Sequence, residues 1–395
     1  MVVIQGISAW EYHTTPPAIR DIELPLEAAI ASREASIPRW LFTPRANACE
    51  AARLICGRLL FDLKNIELPI NVFVSEGSSL DATKIVAPSR MPQFLPQSEL
   101  IKLGSDLYVT SPRLTLIHLA RSMPWQRLAL LMLEACGIFA TTRYTIRSSF
   151  VVKEIETTLA ARSTLLSRFP VISEFCDHAG NPVRFVDAYG NTLGWAPCID
   201  RFGRITNLWK RPPLTSTEEL EELLAACSRI RGIPAARTAL SQVQDGSGSP
   251  LESQLFLLLC ASRQYGGEQW ERPSLNRHVE FTEVARNLSG QSYCVCDLLW
   301  ADKKIAIEAK GKDYHADRQG FEEENGRRAA LESMGYTVFD ITHSQMFDLS
   351  RFDAMVETFS KQLRFSLCSR TETFLKRRKQ LHDLIFSHSD TKAHP

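Results

Sequence analysis

"YCVCDLLWADKKIAIEAKG", residues 293–311, sets two apolar runs on either side of a short polar break. Short runs rich in β-branched and aromatic residues, bounded by polar turn residues, predict the two strands of a hairpin. With a loop of two or four residues centred between Asp302 and Lys303, the numbers of opposed residues sum to 605. Trp300 then faces Ile305, and Asp297 falls across from Glu308. Side chains alternate along a strand, so Lys310 shares the face of Glu308 and lies on a diagonal from Asp297. An odd loop would slip the register and part the two acids.

Opposed Cβ atoms in such a hairpin stand about 4.5–5.5 Å apart, so two carboxylates there repel each other. A divalent cation removes the repulsion, because Mg²⁺ or Mn²⁺ takes oxygen ligands from one or two carboxylates and leaves positions for water and phosphate. Such an ion lowers the pKa of a bound water and neutralises charge on a phosphate in transfer. Lys310 beside it would position the attacking water or stabilise the transition state. The pattern therefore predicts a metal-dependent phosphodiester site. The alternative is an ordinary same-face pair of Glu308 and Lys310 with a solvated Asp297.

Working outward, "DGSGSP" at 245–250 is the clearest break in the chain. After it the pattern predicts a helix ("PLESQLFLLLCASRQ"), the hairpin, a long helix ("RQGFEEENGRRAALESMG") stopped at Gly335, and a strand ("YTVFDIT"). Residues 1–165 alternate short apolar strands with helical patterns and read as a mixed α/β domain. Ser111-Pro112 predicts a helix start with a serine cap. Residues 166–244 read as hairpins and a capped helix ("TSTEELEELLAACSRI"), 245–365 as a second α/β domain, and 366–395 as a basic helical tail. The expected fold class is α/β (α+β).

The 395 residues are 44% hydrophobic and 23% charged with a formal charge of +1, so no polyanion is bound through bulk charge. The charge is uneven: from Lys361 onward eight Lys/Arg face three Asp/Glu, about +5. Ten cysteines without a CxxC pair predict reduced thiols of a cytoplasmic protein, and Cys294 and Cys296 small buried hydrophobes. No signal peptide or membrane span is expected.

Asp297 followed by Glu308-Ala309-Lys310 matches the D…(D/E)xK signature of the restriction-endonuclease-like, PD-(D/E)xK nucleases. "SPLES" opening a helix, "DLLW", "IAIEAKGKDYH", the basic pair Arg327-Arg328 and "GYTVFDIT" together resemble the branch related to very-short-patch repair endonucleases, the DUF559-type domain, over about residues 245–365. Many members of that branch carry an acidic residue where Lys310 stands, so the chain is closer to the general nuclease pattern. Relatives often have an aspartate three residues before the helical arginine; here Glu324 and Asn325 stand before Arg327 and Arg328.

The resemblance implies a restriction-endonuclease-like core of mixed sheet flanked by helices, with Asp297 and Glu308 on Mg²⁺ or Mn²⁺ and Lys310 serving the water. It implies a third acid in Glu252, although Ser249-Pro250-Leu251-Glu252 is equally a capping box. His315 would meet a phosphate or act as an acid; a loop histidine is as readily structural. Lys312, Arg327 and Arg328 would contact DNA phosphates, the alternative for the arginines being pairing with Glu323, Glu324 and Glu332 along the helix. Lys376, Arg377, Arg378 and Lys379 in "FLKRRKQLHDLIF" would add phosphate contacts, or form the solvent face of a packing helix. In the N-terminal half, "ISAWEYH" and "VTSPRLTLIHLAR" resemble the domain of AbiEi-type antitoxins.

The expected function is thus a Mg²⁺-dependent endodeoxyribonuclease in bacterial defence or repair, acting on DNA with or without a protein partner or second copy, and with no membrane. The alternatives are a catalytically silent DNA-binding regulator on the same scaffold, or a two-carboxylate glycosidase, which Lys310 and the lack of aromatic sugar platforms disfavour.

Overall fold

The computed structural model describes residues 1–20, 43–59, 62–160, 175–176, 182–183, 194–200, 204–227, 230–311 and 318–387. It is a mixed α/β protein made of two compact units. The first comprises 1–123 and 138–237, the second 124–137 and 238–395.

In the first unit the strand Val2–Ile4 is wholly buried and lies at the centre of a five-stranded mixed sheet. It pairs antiparallel with Ile70–Val74 and parallel with Leu107–Thr110; Val86–Arg90 and Leu100–Lys102 form the edges. Ser111 caps the helix Pro112–Leu119 by accepting from Leu114 N at 3.2 Å, as expected. A second, antiparallel sheet sets Ile205–Lys210 between Phe139–Thr141 and Ala196–Ile199 around the fully buried Trp209. Phe139–Thr141 was expected in the leading domain and Ile205–Lys210 in a separate connector. Three residues carry too little periodicity for a sequence to show where they pair.

The second unit holds helices α1 (Trp125–Ala135), α2 (Pro250–Cys260), α3 (Glu283–Ser289), α4 (Arg318–Ser333), α5 (His343–Phe347), α6 (Leu349–Leu363) and α7 (Glu372–Phe386). Its sheet runs β1 (Ser274–Glu280), β2 (Tyr293–Trp300), β3 (Ile305–Lys310), β4 (Thr337–Thr342) in spatial order. The first three strands are antiparallel neighbours; β4 joins β3 in parallel through the crossover helix α4. A parallel neighbour requires such a crossover. Helix α1, expected with the N-terminal segment, belongs here: Trp125 packs its ring 4.7 Å from that of Tyr265, and Arg127 Nη1 donates to Leu384 O.

The apolar residues of α2 are buried all round, consistent with a helix that is hydrophobic on every face. Cys294, Cys296, Leu299 and Ala306 join Ala330, Leu331 and Val338 in one core cluster beneath α4. Helix α4 ends before Gly335, whose φ of +83° suits glycine at a helix stop. Cys49, Cys56, Cys136, Cys198, Cys227, Cys260, Cys294, Cys296 and Cys368 are free thiols. No helix among the described residues is long and apolar enough to cross a membrane.

Candidate functional site

The hairpin forms in the register its sequence predicts. Trp300, Leu299 and Leu298 oppose Ile305, Ala306 and Ile307, and the four-residue loop 301–304 turns through a 3₁₀ step onto Lys304, in the left-handed region at φ +54°. The ladder then stops. At the next step, where Asp297 and Glu308 would pair, Asp297 Oδ2 instead accepts from Ala309 N at 2.7 Å. Strand β3 continues regularly on its other side, from Ile305 against Thr337 to Lys310 against Thr342.

Asp297 also lacks a ladder partner on the β1 side, where pairing passes from Leu275–Leu298 to Arg277–Cys296. Asn276, between them, has φ +46°, a conformation asparagine tolerates better than most residues. Its Nδ2 donates to Glu252 Oε2 at 2.5 Å and to Gly246 O at 3.0 Å. A Cβ on Gly248 would lie 2.6 Å from Asn276 Oδ1, so only glycine lets the loop approach this closely.

Glu252 fulfils its capping role in a shifted form. Ser249 Oγ accepts from Glu252 N at 3.2 Å, while Glu252 Oε2 accepts from Gly248 N at 2.7 Å, one residue before the cap. Its charge still reaches Asp297 and helps push the Asp297 carboxyl up. Its Oε2 is held by both Gly248 N and Asn276 Nδ2.

Glu308 is 2% exposed. Its Oε2 accepts from Arg327 Nη2 of α4 at 2.6 Å, and its buried Oε1 accepts no hydrogen bond. Burial first, then the neighbouring acid, pushes both carboxyls up to about 7: Glu252 acts on Asp297, and Asp297 on Glu308. Arg327 and Lys310 act in the opposite direction on both. Such opposed influences gathered on one pair of acids are characteristic of functional sites, although ion-pair networks produce them too.

Lys310 is nearly buried, paired with Glu324 of α4 and, at 3.5 Å, with Asp340 of β4. Arg328 does not reach the acids. It binds Glu332 at 3.1 Å, Asp340 at 2.8 Å and Val338 O at 3.0 Å, tying α4 to β4. Of the pairings expected along α4, Arg328 with Glu332 forms, while Glu324 turns to Lys310.

Arg378 departs most from expectation. Its side chain is fully buried; it donates to Leu258 O at 2.7 Å and Gly266 O at 3.0 Å and pairs with Asp353 at 3.0 Å and Glu268 at 3.5 Å. It is a core cation that fastens α7 to the loop after α2, not a phosphate contact, because its position on the apolar face of α7 outweighs its charge. Lys376, Arg377 and Lys379 are exposed, Lys379 pairing with Asp383 at 2.8 Å. Lys312 and His315 lie outside the described residues.

Asn276 and Asp340 escaped the sequence reading, and Glu324 entered it as a partner for the helical arginines rather than for Lys310. Glu324 stands three residues before Arg327 and therefore on the same helix face, a spacing that pointed to the arginine and not to the strand lysine. Among the described residues no three His, Cys, Asp or Glu side chains gather closely enough to hold a metal ion by themselves. Neither known protein families, nor characterised proteins, nor solved structures contain a match to this chain.

Proposed function

We propose that the second unit is a metal-dependent nuclease domain of restriction-endonuclease-like architecture that hydrolyses DNA phosphodiester bonds. The observation that carries this reading is Asp297 and Glu308 at the point where the hairpin ladder parts, both resisting ionisation, with a buried, unpartnered oxygen on Glu308. A divalent oxygen-seeking ion suits that donor set. Two carboxylates are what Mg²⁺ takes when water and phosphate complete its shell. When bound, the ion would supply a water of lowered pKa and neutralise phosphate charge.

The chain's own residues do the rest. Asp297 and Glu308 would hold the ion, releasing the protons that their raised pKa values retain near neutrality. Asp297 is fixed by Ala309 N, and Glu308 by Arg327. Lys310 lies two residues along β3 from Glu308, held by Glu324 and Asp340, where it would orient the attacking water or stabilise charge on phosphorus. Water oxygen bonds to phosphorus as the ester P–O bond breaks, and a proton passes to the departing oxygen.

A second reading, a silent DNA-binding scaffold, draws on the same ion pairs, since Glu308 and Lys310 each have a partner of opposite charge. Purified full-length protein and its Asp297→Ala and Lys310→Ala variants, incubated with supercoiled, linear and single-stranded DNA in Mg²⁺, Mn²⁺ or EDTA, separate the two. Cleavage by wild type alone, lost in EDTA and reduced at least 100-fold in each variant, is expected of the nuclease. DNA binding without cleavage in any form would favour the scaffold.

A further inference from the structure

A recess of about 580 Å³ is bordered by the turn 290–292, Tyr293, Cys294, Val295 and Arg327. That volume falls within the roughly 300–1,000 Å³ typical of small-ligand sites. Arg327 connects it to the chemistry: the same guanidinium forms one wall, donates to Val295 O at 3.3 Å and donates to Glu308 Oε2 at 2.6 Å.

At the rim the Tyr293 ring is half exposed and backed by His278, its diagonal neighbour across β1 and β2, with ring centroids 4.3 Å apart and planes 31° apart. Val295 is exposed beside it, and Arg277 and Arg286 are exposed on the neighbouring β1 and α3. An isolated exposed tyrosine is ordinary. A supported aromatic face, a recess and an arginine shared with a carboxylate form a combination suited to a flat aromatic ring attached to an anion.

We propose that this recess receives an unpaired nucleobase of a DNA strand, stacked on Tyr293, with the adjoining phosphate drawn towards Arg327 and the acid pair. The inference rests on the nuclease reading and narrows its substrate to DNA with a single-stranded or extruded nucleotide next to the scissile bond. Stacking on an aromatic side chain tolerates any base, so the recess reads the absence of pairing rather than sequence. A duplex keeps its bases inside the stack, and extruding one has a free-energy cost that a single strand avoids.

The test uses the full chain in EDTA, where binding is measured without cleavage. The probes are a single-stranded oligonucleotide carrying 2-aminopurine, its fully paired duplex, the same strand in RNA, and 2-aminopurine deoxynucleotide monophosphate. Wild type is expected to bind the DNA strand and quench its fluorescence. Tyr293→Ala should weaken that binding about tenfold with duplex affinity unchanged, whereas Tyr293→Phe, which keeps the ring, should bind like wild type. Circular dichroism confirms that each variant is folded.

Equal affinity of wild type and Tyr293→Ala for the single strand would overturn the proposal. So would a preference for RNA, or binding of the free nucleotide as tight as that of the strand, which would make the recess a nucleotide pocket. Failure of cleavage in Mg²⁺ with the stacking result intact would remove the nuclease reading alone.

Discussion

Asp297 is held by one backbone N–H and surrounded by groups that disagree about its charge. Its carboxyl and that of Glu308 are pushed from ordinary values near 4 to about 7, so the folded protein binds protons that the unfolded chain has released. The ion-free protein should therefore lose stability as pH rises from about 4 to about 7, the window between unfolded and folded values. Thermal unfolding in EDTA across that range should show a falling Tm, and Mg²⁺ should restore it increasingly towards alkaline pH. Asp297→Asn, which keeps an acceptor for Ala309 N, should flatten the fall and raise Tm at pH 8 by about 2–4 °C, the shift that ~1 kcal/mol produces at this size. A Tm unaffected by the substitution, or one rising with pH in EDTA, would contradict the electrostatics. The two acids were legible from strand alternation alone. Asn276 was not, because a left-handed asparagine that bridges a helix cap leaves no periodic trace.

At the scale of elements, the hairpin is the device that brings the acids together, and its four-residue loop fixes which residues meet. Inserting one glycine between Asp302 and Lys303 shifts β3 by a residue relative to β2, turning Glu308 away from Asp297. On the proposed nuclease reading, the expected outcome is loss of cleavage by at least 100-fold, with a two-residue insertion at the same place, which can loop out without changing register, retaining most of it. Activity surviving the single insertion would show that opposition across the hairpin is not required. Helix α4 is as decisive as the hairpin: Glu324 and Arg327, one turn apart, take Lys310 and Glu308. The sequence exposed that helix and its stop at Gly335 but not the direction of its arginines, since both pairing along the helix and pairing to the sheet satisfy the same spacing.

Across the whole molecule, the chain enters the second unit for residues 124–137, leaves, and returns at 238. Gly246 N donates to Cys136 O at 3.0 Å, and Arg127 reaches the carbonyl of Leu384 on α7. A fragment beginning at 245, the break that composition marks, therefore lacks α1 and exposes the surface that α1 covers on α2 and α7. Chemical denaturation of the 245–395 fragment against the full chain should show it less stable by several kcal/mol or prone to aggregation, with addition of a 124–137 peptide giving partial recovery. A fragment as stable as the unit in the full chain would mean that α1 contributes little.

By itself the sequence determined the α/β class, the hairpin register, the helix caps at Ser111 and Ser249 and the stop at Gly335, because these depend on alternation, loop parity and local backbone chemistry. Only the tertiary structure decided that Arg378 is a core cation, that α1 belongs to the second unit and that Arg327 faces Glu308. Burial and long-range pairing depend on which faces meet across the chain, and a charged side chain reads the same in sequence whether water or a carboxylate surrounds it.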